Sequence, residues 1–231
     1  MFRDTIEGLN NVFYNDIYRK AVVLVVGPPG CLKSGFTYSV LSTHLEKNDE
    51  FGVYMTLEET TESHLRNMNS LGIKVPDNLL ISDYSDIRKR FETNEEHPDF
   101  MEMIEGVIHF FKNKEGDRFS CFALDSLGAL YSLINTTNLR AKMFHFFNML
   151  RENNLTAIII METPKEADIS NSEGGEGYLS DGIIEFGSIE RQHDIVVYMQ
   201  VIKMKATSHS RKKNLIEIGE YGLSVLGPVF E

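Results

Sequence analysis

The stretch AVVLVVGPPGCLKSGF, residues 21–36, joins an unbroken apolar run to the start of a helical pattern. The apolar run, residues 21–26, is typical of a strand that is buried on both faces of a sheet. The helical pattern continues through residues 33–47, and GPPGCLKS lies between the two. A glycine-rich loop between a strand and a helix cradles phosphate groups on its backbone N–H groups. The stretch therefore predicts an α/β domain with a nucleotide phosphate site where its first strand ends.

Two side chains of this loop carry the predicted phosphate chemistry. We expect Lys33 to bridge the β- and γ-phosphates of ATP and the Ser34 hydroxyl to ligate Mg²⁺. The alternative is a plain Gly/Pro turn in which the lysine is coincidental. The predicted nucleotide contacts are Gly27, Pro28, Pro29, Gly30, Cys31, Leu32, Lys33, Ser34 and Gly35.

Leu32 departs from the usual form of this loop, in which a glycine precedes the lysine. A left-handed backbone at Leu32 would cost about 1–2 kcal/mol, whereas a helical backbone would direct the side chain away without strain. The sequence leaves both geometries open.

The rest of the chain extends the α/β pattern. Short β-branched runs at residues 52–57, 119–124 and 156–161 predict further parallel strands, and helical spacing at residues 60–71, 98–113 and 138–153 supplies the crossovers between them. After Asp181 short turns join apolar runs at residues 183–186, 195–203, 215–218 and 223–226, which predicts an antiparallel C-terminal extension. We therefore expect one mixed-sheet domain over residues 1–231, since no repeat or linker divides the chain.

Composition limits the partners and the compartment. Lys+Arg 23 against Asp+Glu 34 gives a net charge of −11, which repels nucleic acid unless basic residues cluster. The longest basic run, residues 211–213, reads as a solvated hairpin turn. The two cysteines are not spaced as a disulfide framework, and the apolar runs are only strand-sized. We predict a cytoplasmic protein with no membrane segment.

Carboxylates follow two of the predicted strands. Asp125 ends one of them, at the edge where open α/β sheets bind ligands, and would hold the Mg²⁺ together with Ser34. Glu58 and Glu59 end another, where one carboxylate could polarise the attacking water while the other tunes its neighbour. The alternative for all three carboxylates is a local structural role, because acidic residues also form turns and stabilise the first turn of a helix.

Taken together, these motifs resemble the KaiC/RadA branch of the RecA-like P-loop ATPases, and within it the single-domain, archaeal-type KaiC-like proteins. The similar segments include the phosphate loop, VYMTLEET at residues 53–60, ALDSL at 123–127, YLSDGII at 178–184 and KMKATSH at 203–209. The resemblance implies a RecA-like fold whose parallel central strands are flanked by helices, and an ATPase that uses ATP and Mg²⁺. It implies a homo-oligomer, with a hexameric ring as one form, and a protein client.

The resemblance also assigns roles to residues. Glu58 would be the base and Glu59 would support it. Lys203 and Lys205 would act in trans, placing positive charge on the γ-phosphate bound by a neighbouring subunit, and His209 would lie near that nucleotide. Lys205 stands where the family usually has arginine, so it lacks the bidentate fork that arginine offers to phosphate. Glu162 occupies the position of a polar sensor, and the alternative is that it caps a helix or turn.

Two other functions stay open. Leu32 and Lys205 are compatible with a regulatory module that binds nucleotide but hydrolyses it little or not at all. A mediator acting on single-stranded DNA is less favoured, because the loop at residues 164–177 holds one lysine, Lys165, against Glu166, Asp168, Glu173 and Glu176.

Overall fold

The computed structural model describes residues 1–84, 86, 99–163, 175–191, 194–219 and 222–229. Within these residues nine strands form a single sheet, in the spatial order β3-β2-β4-β5-β1-β6-β7-β8-β9. The strands are β1 (Val22–Gly27), β2 (Phe51–Thr56), β3 (Leu79–Asp83), β4 (Phe119–Asp125), β5 (Thr156–Glu162), β6 (Gly182–Arg191), β7 (Asp194–Met204), β8 (Asn214–Gly219) and β9 (Gly222–Pro228).

The sheet is parallel from β3 across to β6 and antiparallel from β6 to β9. Strand β1 lies between β5 and β6, and all six of its residues are buried. Burial on both faces explains why its sequence is apolar without alternation. The carboxyl ends of β1, β2, β4 and β5 therefore meet at one edge of the sheet.

Helices cover both faces of the parallel part. The helices are α1 (Lys33–Asn48), α2 (Thr61–Ser70), α3 (Phe100–Glu115), α4 (Leu127–Leu133), α5 (Leu139–Glu152) and the single turn α6 (Glu176–Leu179). Residues of α1 and α2 pack with Val23 and Val25 in one apolar core, whereas residues of α3, α4 and α5 pack with Val22, Leu24 and Val26 in a second core. Alternate residues of β1 thus supply opposite faces of a three-layer domain.

The predicted mixed sheet is confirmed, including the change to antiparallel pairing after Asp181. Three strands or α-helices escaped the sequence prediction: the edge strand β3, the short helix α4 and the single turn α6. The basic run at residues 211–213 lies exposed in the loop between β7 and β8, as predicted. None of the described helices is both long enough and apolar enough to cross a membrane.

Candidate functional site

A cavity of about 330 Å³ opens where β1, β2, β4 and β5 end and α1 begins. The carboxyl edge of a parallel sheet is where α/β proteins bind ligands. The cavity brings together the predicted phosphate loop and the predicted carboxylates. Its lining includes Gly30, Cys31, Leu32, Lys33, Ser34, Gly35, Glu58, Glu59, Asp125 and Glu162.

The loop reaches this cavity through unusual backbone conformations. Gly27 has φ 148°, and a Cβ at this position would lie 2.1 Å from the carbonyl oxygen of Phe186, so only glycine fits there. Leu32 has φ 64° and ψ 18°, the left-handed one of the two geometries that the sequence left open. Its half-buried side chain packs against the apolar core beneath α1. Helix α1 then begins at Lys33, directing its first N–H groups toward the cavity.

Ser34 and Asp125, the two predicted Mg²⁺ ligands, are in direct contact. The Ser34 Oγ donates to Asp125 Oδ2 at 2.6 Å, and the Tyr54 hydroxyl donates to the same oxygen at 2.7 Å. Asp125 is 8% exposed and Tyr54 is fully buried. Burial, followed by the Asp125 charge, raises the pKa of Tyr54 well above its ordinary value, so its hydroxyl stays a donor. Two donors thus hold Oδ2 of Asp125 in place.

Lys33 is a buried cation beside these groups. Its Nζ donates to the Pro28 carbonyl at 2.8 Å and lies 3.8 Å from Glu162 Oε1. Burial lowers the pKa of Lys33, while Glu162, Asp125 and Glu58 oppose that change. The Glu162 position, predicted as a polar sensor, therefore contacts the lysine of the phosphate loop.

The two adjacent glutamates take different directions. Glu58 is exposed to the cavity, where it lies near Lys33, Asp125 and Glu162. Burial is the largest cause of the raised pKa of Glu58, and the charges of Glu162 and Asp125 add to it. A raised pKa makes this carboxylate a stronger proton acceptor.

Glu59, in contrast, contacts helix α2. Its Oε1 lies 3.0 Å from His64 Nδ1, and its Oε2 accepts from Ser63 Oγ at 3.2 Å and from Asn67 Nδ2 at 2.9 Å. His64 is completely buried. Glu59 lines the cavity, but three side chains of α2 hold its carboxylate, which fits a supporting rather than a reacting group.

Lys203 and Lys205 lie far from their own phosphate loop. Gly182 pairs with Val23 and with Met204, so the two lysines sit near the amino-terminal half of β1, whereas the loop follows Gly27. That separation is about 13 Å along the strand. Lys203 Nζ donates to the carbonyls of Gly177 and Ser180 at 2.9 and 2.7 Å, and Lys205 Nζ lies 3.0 Å from Asp181 Oδ1.

His209 is half-buried in the loop after β7. Its Nδ1 lies 3.0 Å from the Ser210 carbonyl, and its backbone forms an isolated antiparallel bridge with Phe13. This pairing joins the segment at residues 203–209 to the start of the chain. Contact of His209 with a neighbour's nucleotide stays a prediction.

Most of the loop at residues 164–177, whose acidic residues argue against DNA binding, lies outside the described residues. The description resumes at residue 175. Glu176 is described, and it is fully buried rather than part of a solvated acidic surface. It accepts a hydrogen bond from the Tyr131 hydroxyl. Its contribution to the electrostatic argument against DNA is therefore smaller than the sequence suggested.

Sequence reasoning missed Tyr54 as a residue of the site. In the sequence it is one apolar position among others in a buried strand, and nothing local distinguishes its hydroxyl from that of any core tyrosine. The contact with Asp125 joins β2 to β4, which pair along their length. Only the pairing of these strands reveals it.

Comparisons with known proteins find a matching family model and related chains. The family model described as "ATPase: KaiC" matches residues 2–229. The circadian clock protein KaiC2 of Synechocystis sp. is 27% identical over 229 residues, which cover 96% of this chain and 39% of that protein. A UPF0273 protein of Aeropyrum pernix is 25% identical over 232 residues, 95% of this chain and 91% of that protein.

Solved structures share the fold. A KaiC-like protein from the hyperthermophilic archaeon Pyrococcus horikoshii superposes with a TM-score of 0.79 at 23% identity, covering 96% of both chains. The chain spans about two fifths of the length of the circadian clock relatives it matches.

Proposed function

Because this chain belongs to the KaiC family of ATPases, we propose that it binds ATP with Mg²⁺ in the cavity at the end of β1 and hydrolyses it in an oligomer. The observation that carries the proposal is the 2.6 Å contact between Ser34 Oγ and Asp125 Oδ2, beside Lys33 and Glu58. A strand-loop-helix alone binds many anions. A metal-dependent phosphate site also needs oxygen ligands for the metal, and the Ser34 hydroxyl and the Asp125 carboxylate supply them.

The donor set fits Mg²⁺, which prefers oxygen ligands and retains several waters. Ser34 and Asp125 would hold the ion, and its charge would stabilise the phosphate oxygens. The backbone N–H groups of the loop and the start of α1 bind the phosphates. Lys33 exchanges its contact with the Pro28 carbonyl for phosphate oxygens, and its burial strengthens that contact.

Glu58 is the proposed base. Its exposed carboxylate faces the cavity, whereas side chains of α2 hold the carboxylate of Glu59. We assign it to the proton of the attacking water, and we assign Glu59 to holding α2 against the site. Lys203 and Lys205 would complete the site of an adjacent copy, since their own phosphate loop is beyond their reach.

The decisive experiment compares the two neighbouring glutamates. Wild-type protein should hydrolyse ATP in a Mg²⁺-dependent reaction, and Lys33→Ala should lose both ATP binding and turnover. Glu58→Gln should still bind ATP but lose hydrolysis by about 10²-fold or more, the range for removal of a general base. Glu59→Gln is the matched control and should retain most of the activity, since glutamine can keep hydrogen bonds to α2. Equal losses in the two glutamine variants would contradict the assignment.

A nucleotide-binding module without hydrolysis is the second candidate. The left-handed Leu32 and the pairing of Lys205 with Asp181 favour it, because both could hinder an efficient reaction. Tight ATP binding by the wild type with no turnover at any protein concentration would support this candidate and reject the first.

A further inference from the structure

A second cluster of reactive side chains lies at the opposite edge of the sheet, near the amino-terminal ends of β2 and β4. His44 is in the last turns of α1, Glu50 directly precedes β2 and Cys121 is in β4. One donor atom from each residue, an imidazole nitrogen, a carboxylate oxygen and the thiol sulfur, lies within 4.8 Å of the other two. His44 is 7% exposed and Cys121 is completely buried.

A β-bulge aims side chains of β4 at this point. Phe51 pairs with Phe119 and Gly52 pairs with Cys121, so Ser120 is an extra residue in the pairing of β4 with β2. Bulges redirect side chains and are frequent near functional sites. Here the bulge brings Ser120 Oγ within 3.5 Å of Cys121 Sγ and lets it donate to Glu50 Oε2 at 2.7 Å.

Neighbouring groups hold the three side chains in position. His44 Nε2 lies 3.0 Å from Glu50 Oε2, and Arg19 Nη2 donates to Glu50 Oε1 at 2.9 Å. The Phe2 ring stacks on the His44 ring with centroids 3.9 Å apart and planes 6° from parallel. Such supporting contacts orient the ligands of metal sites.

The chemistry of the donors differs from that of the nucleotide site. Thiolate, imidazole and carboxylate together favour Zn²⁺ and similar transition metals, whereas the pair of Ser34 and Asp125 offers only oxygen. Burial lowers the pKa of His44, and its hydrogen bond with Glu50 opposes that change. Burial raises the pKa of the Cys121 thiol to about 12, so an ion that binds the sulfur must displace its proton.

The cluster is reachable from solvent. His44, Glu50 and Cys121 line a cavity of about 450 Å³, together with Asp16 and Arg19. An ion could enter through this cavity, and water could complete its coordination. Arg19 would not block binding of the ion to Glu50, because the Arg19 side chain is 82% exposed and can move away from Glu50.

We propose that His44, Glu50 and Cys121 bind a transition-metal ion of the Zn²⁺ class, independently of nucleotide. The ion would tie the end of α1 to the starts of β2 and β4. Because α1 starts at the phosphate loop, the metal would anchor the far end of the helix that presents Lys33 and Ser34.

Cobalt tests the proposal without relying on ATPase activity. A thiolate bound to Co²⁺ gives an intense near-ultraviolet charge-transfer band, and this chain has no tryptophan to obscure it. Titration of the nucleotide-free full chain with Co²⁺ should produce that band, saturating at one ion per chain, and Zn²⁺ should abolish it. Cys121→Ser should lose the band. Cys31→Ser is the matched control, since Cys31 is the other cysteine of the chain, and it should keep the band.

A second variant separates loss of the site from loss of the fold. His44→Gln keeps the thiol and should bind Co²⁺ at least about tenfold more weakly, with a native circular dichroism spectrum. Folded wild-type protein that gives no charge-transfer band would overturn the proposal, and so would a band that persists in Cys121→Ser. Either result would leave the cluster as a hydrogen-bonded network only.

Discussion

At Leu32 a non-glycine residue adopts a left-handed backbone, at the position just before the lysine of the phosphate loop. The side chain recovers part of that cost by packing against the core beneath α1. Two opposing effects therefore act at one residue: backbone strain of about 1–2 kcal/mol and partial apolar burial.

A pair of substitutions separates these effects. Leu32→Ala and Leu32→Gly both remove the side chain, but only glycine relieves the left-handed backbone. We expect Leu32→Gly to be more stable than Leu32→Ala by about 1 kcal/mol, even though glycine has the more flexible unfolded chain. Urea unfolding followed by circular dichroism measures the difference. Alanine as stable as glycine would show that the backbone at residue 32 is not left-handed in solution.

The role of Tyr54 depends on a single atom, its hydroxyl oxygen. Tyr54→Phe keeps the ring but removes the hydroxyl that donates to buried Asp125, so we expect the free energy of unfolding to fall by about 1.5–3 kcal/mol. Tyr38→Phe is the control. Its ring lies 5.6 Å from that of Tyr54, and its buried hydroxyl has no hydrogen-bond partner in the part of the chain that the structure describes. Removing that hydroxyl should be neutral or stabilising, and equal losses in both variants would contradict the contact with Asp125.

At the scale of elements, Asp181 joins β1, α5 and the end of β7 at the start of β6. Its Oδ2 accepts from the Val22 backbone N–H at 3.1 Å and from Arg151 Nη2 at 2.8 Å, and its Oδ1 pairs with Lys205. Burial alone would raise the pKa of Asp181, but these hydrogen bonds outweigh it and lower the pKa below its ordinary value. The ionised carboxylate thus connects three elements.

This connection predicts a pH dependence. Because the pKa of Asp181 is lower in the folded state, its stabilising effect is complete above the unfolded value of about 3.9 and is lost as the pH falls below it. Asp181→Asn should be less stable than wild type by about 2–3 kcal/mol near pH 7. The difference should shrink below about pH 4. Urea unfolding of both proteins across the acid range measures it, and a gap that stays constant would exclude Asp181 as the titrating group.

The same elements show how far the sequence predicts the molecule. The phosphate loop and β1 were predicted because strand, glycines and lysine are adjacent in the chain, and Glu58 and Asp125 were predicted because each follows a strand. The family resemblance added Lys203, Lys205 and His209. Strand β3 escaped because LLISD, residues 79–83, is short and lies at the sheet edge. The contacts of Asp181 with Val22 and of Tyr54 with Asp125 join residues that are distant in sequence, so no local pattern encodes them.

At the scale of the whole molecule, the sites of phosphate binding and of the two predicted trans-acting lysines lie at different ends of β1. A single copy cannot bring Lys203 or Lys205 to its own Ser34. In a head-to-tail assembly, however, one surface of each copy meets a different surface of the next. The same chain could then supply a phosphate loop on one side and lysines on the other, which explains why both features can be present without contact.

Mixing two inactive variants tests this arrangement. Lys33→Ala lacks a working phosphate loop but keeps both lysines, whereas the double variant Lys203→Ala, Lys205→Ala keeps the loop. Each alone should be nearly inactive. Equimolar co-assembly should restore about a quarter of wild-type ATPase activity, since that fraction of interfaces in a random head-to-tail ring pairs an intact loop with intact lysines. Lys33→Ala mixed with Glu58→Gln is the control, and it should recover nothing because both defects lie in the cavity of one chain. A test mixture that recovers no activity although the two variants co-assemble would place the lysines in cis and reject the intersubunit site.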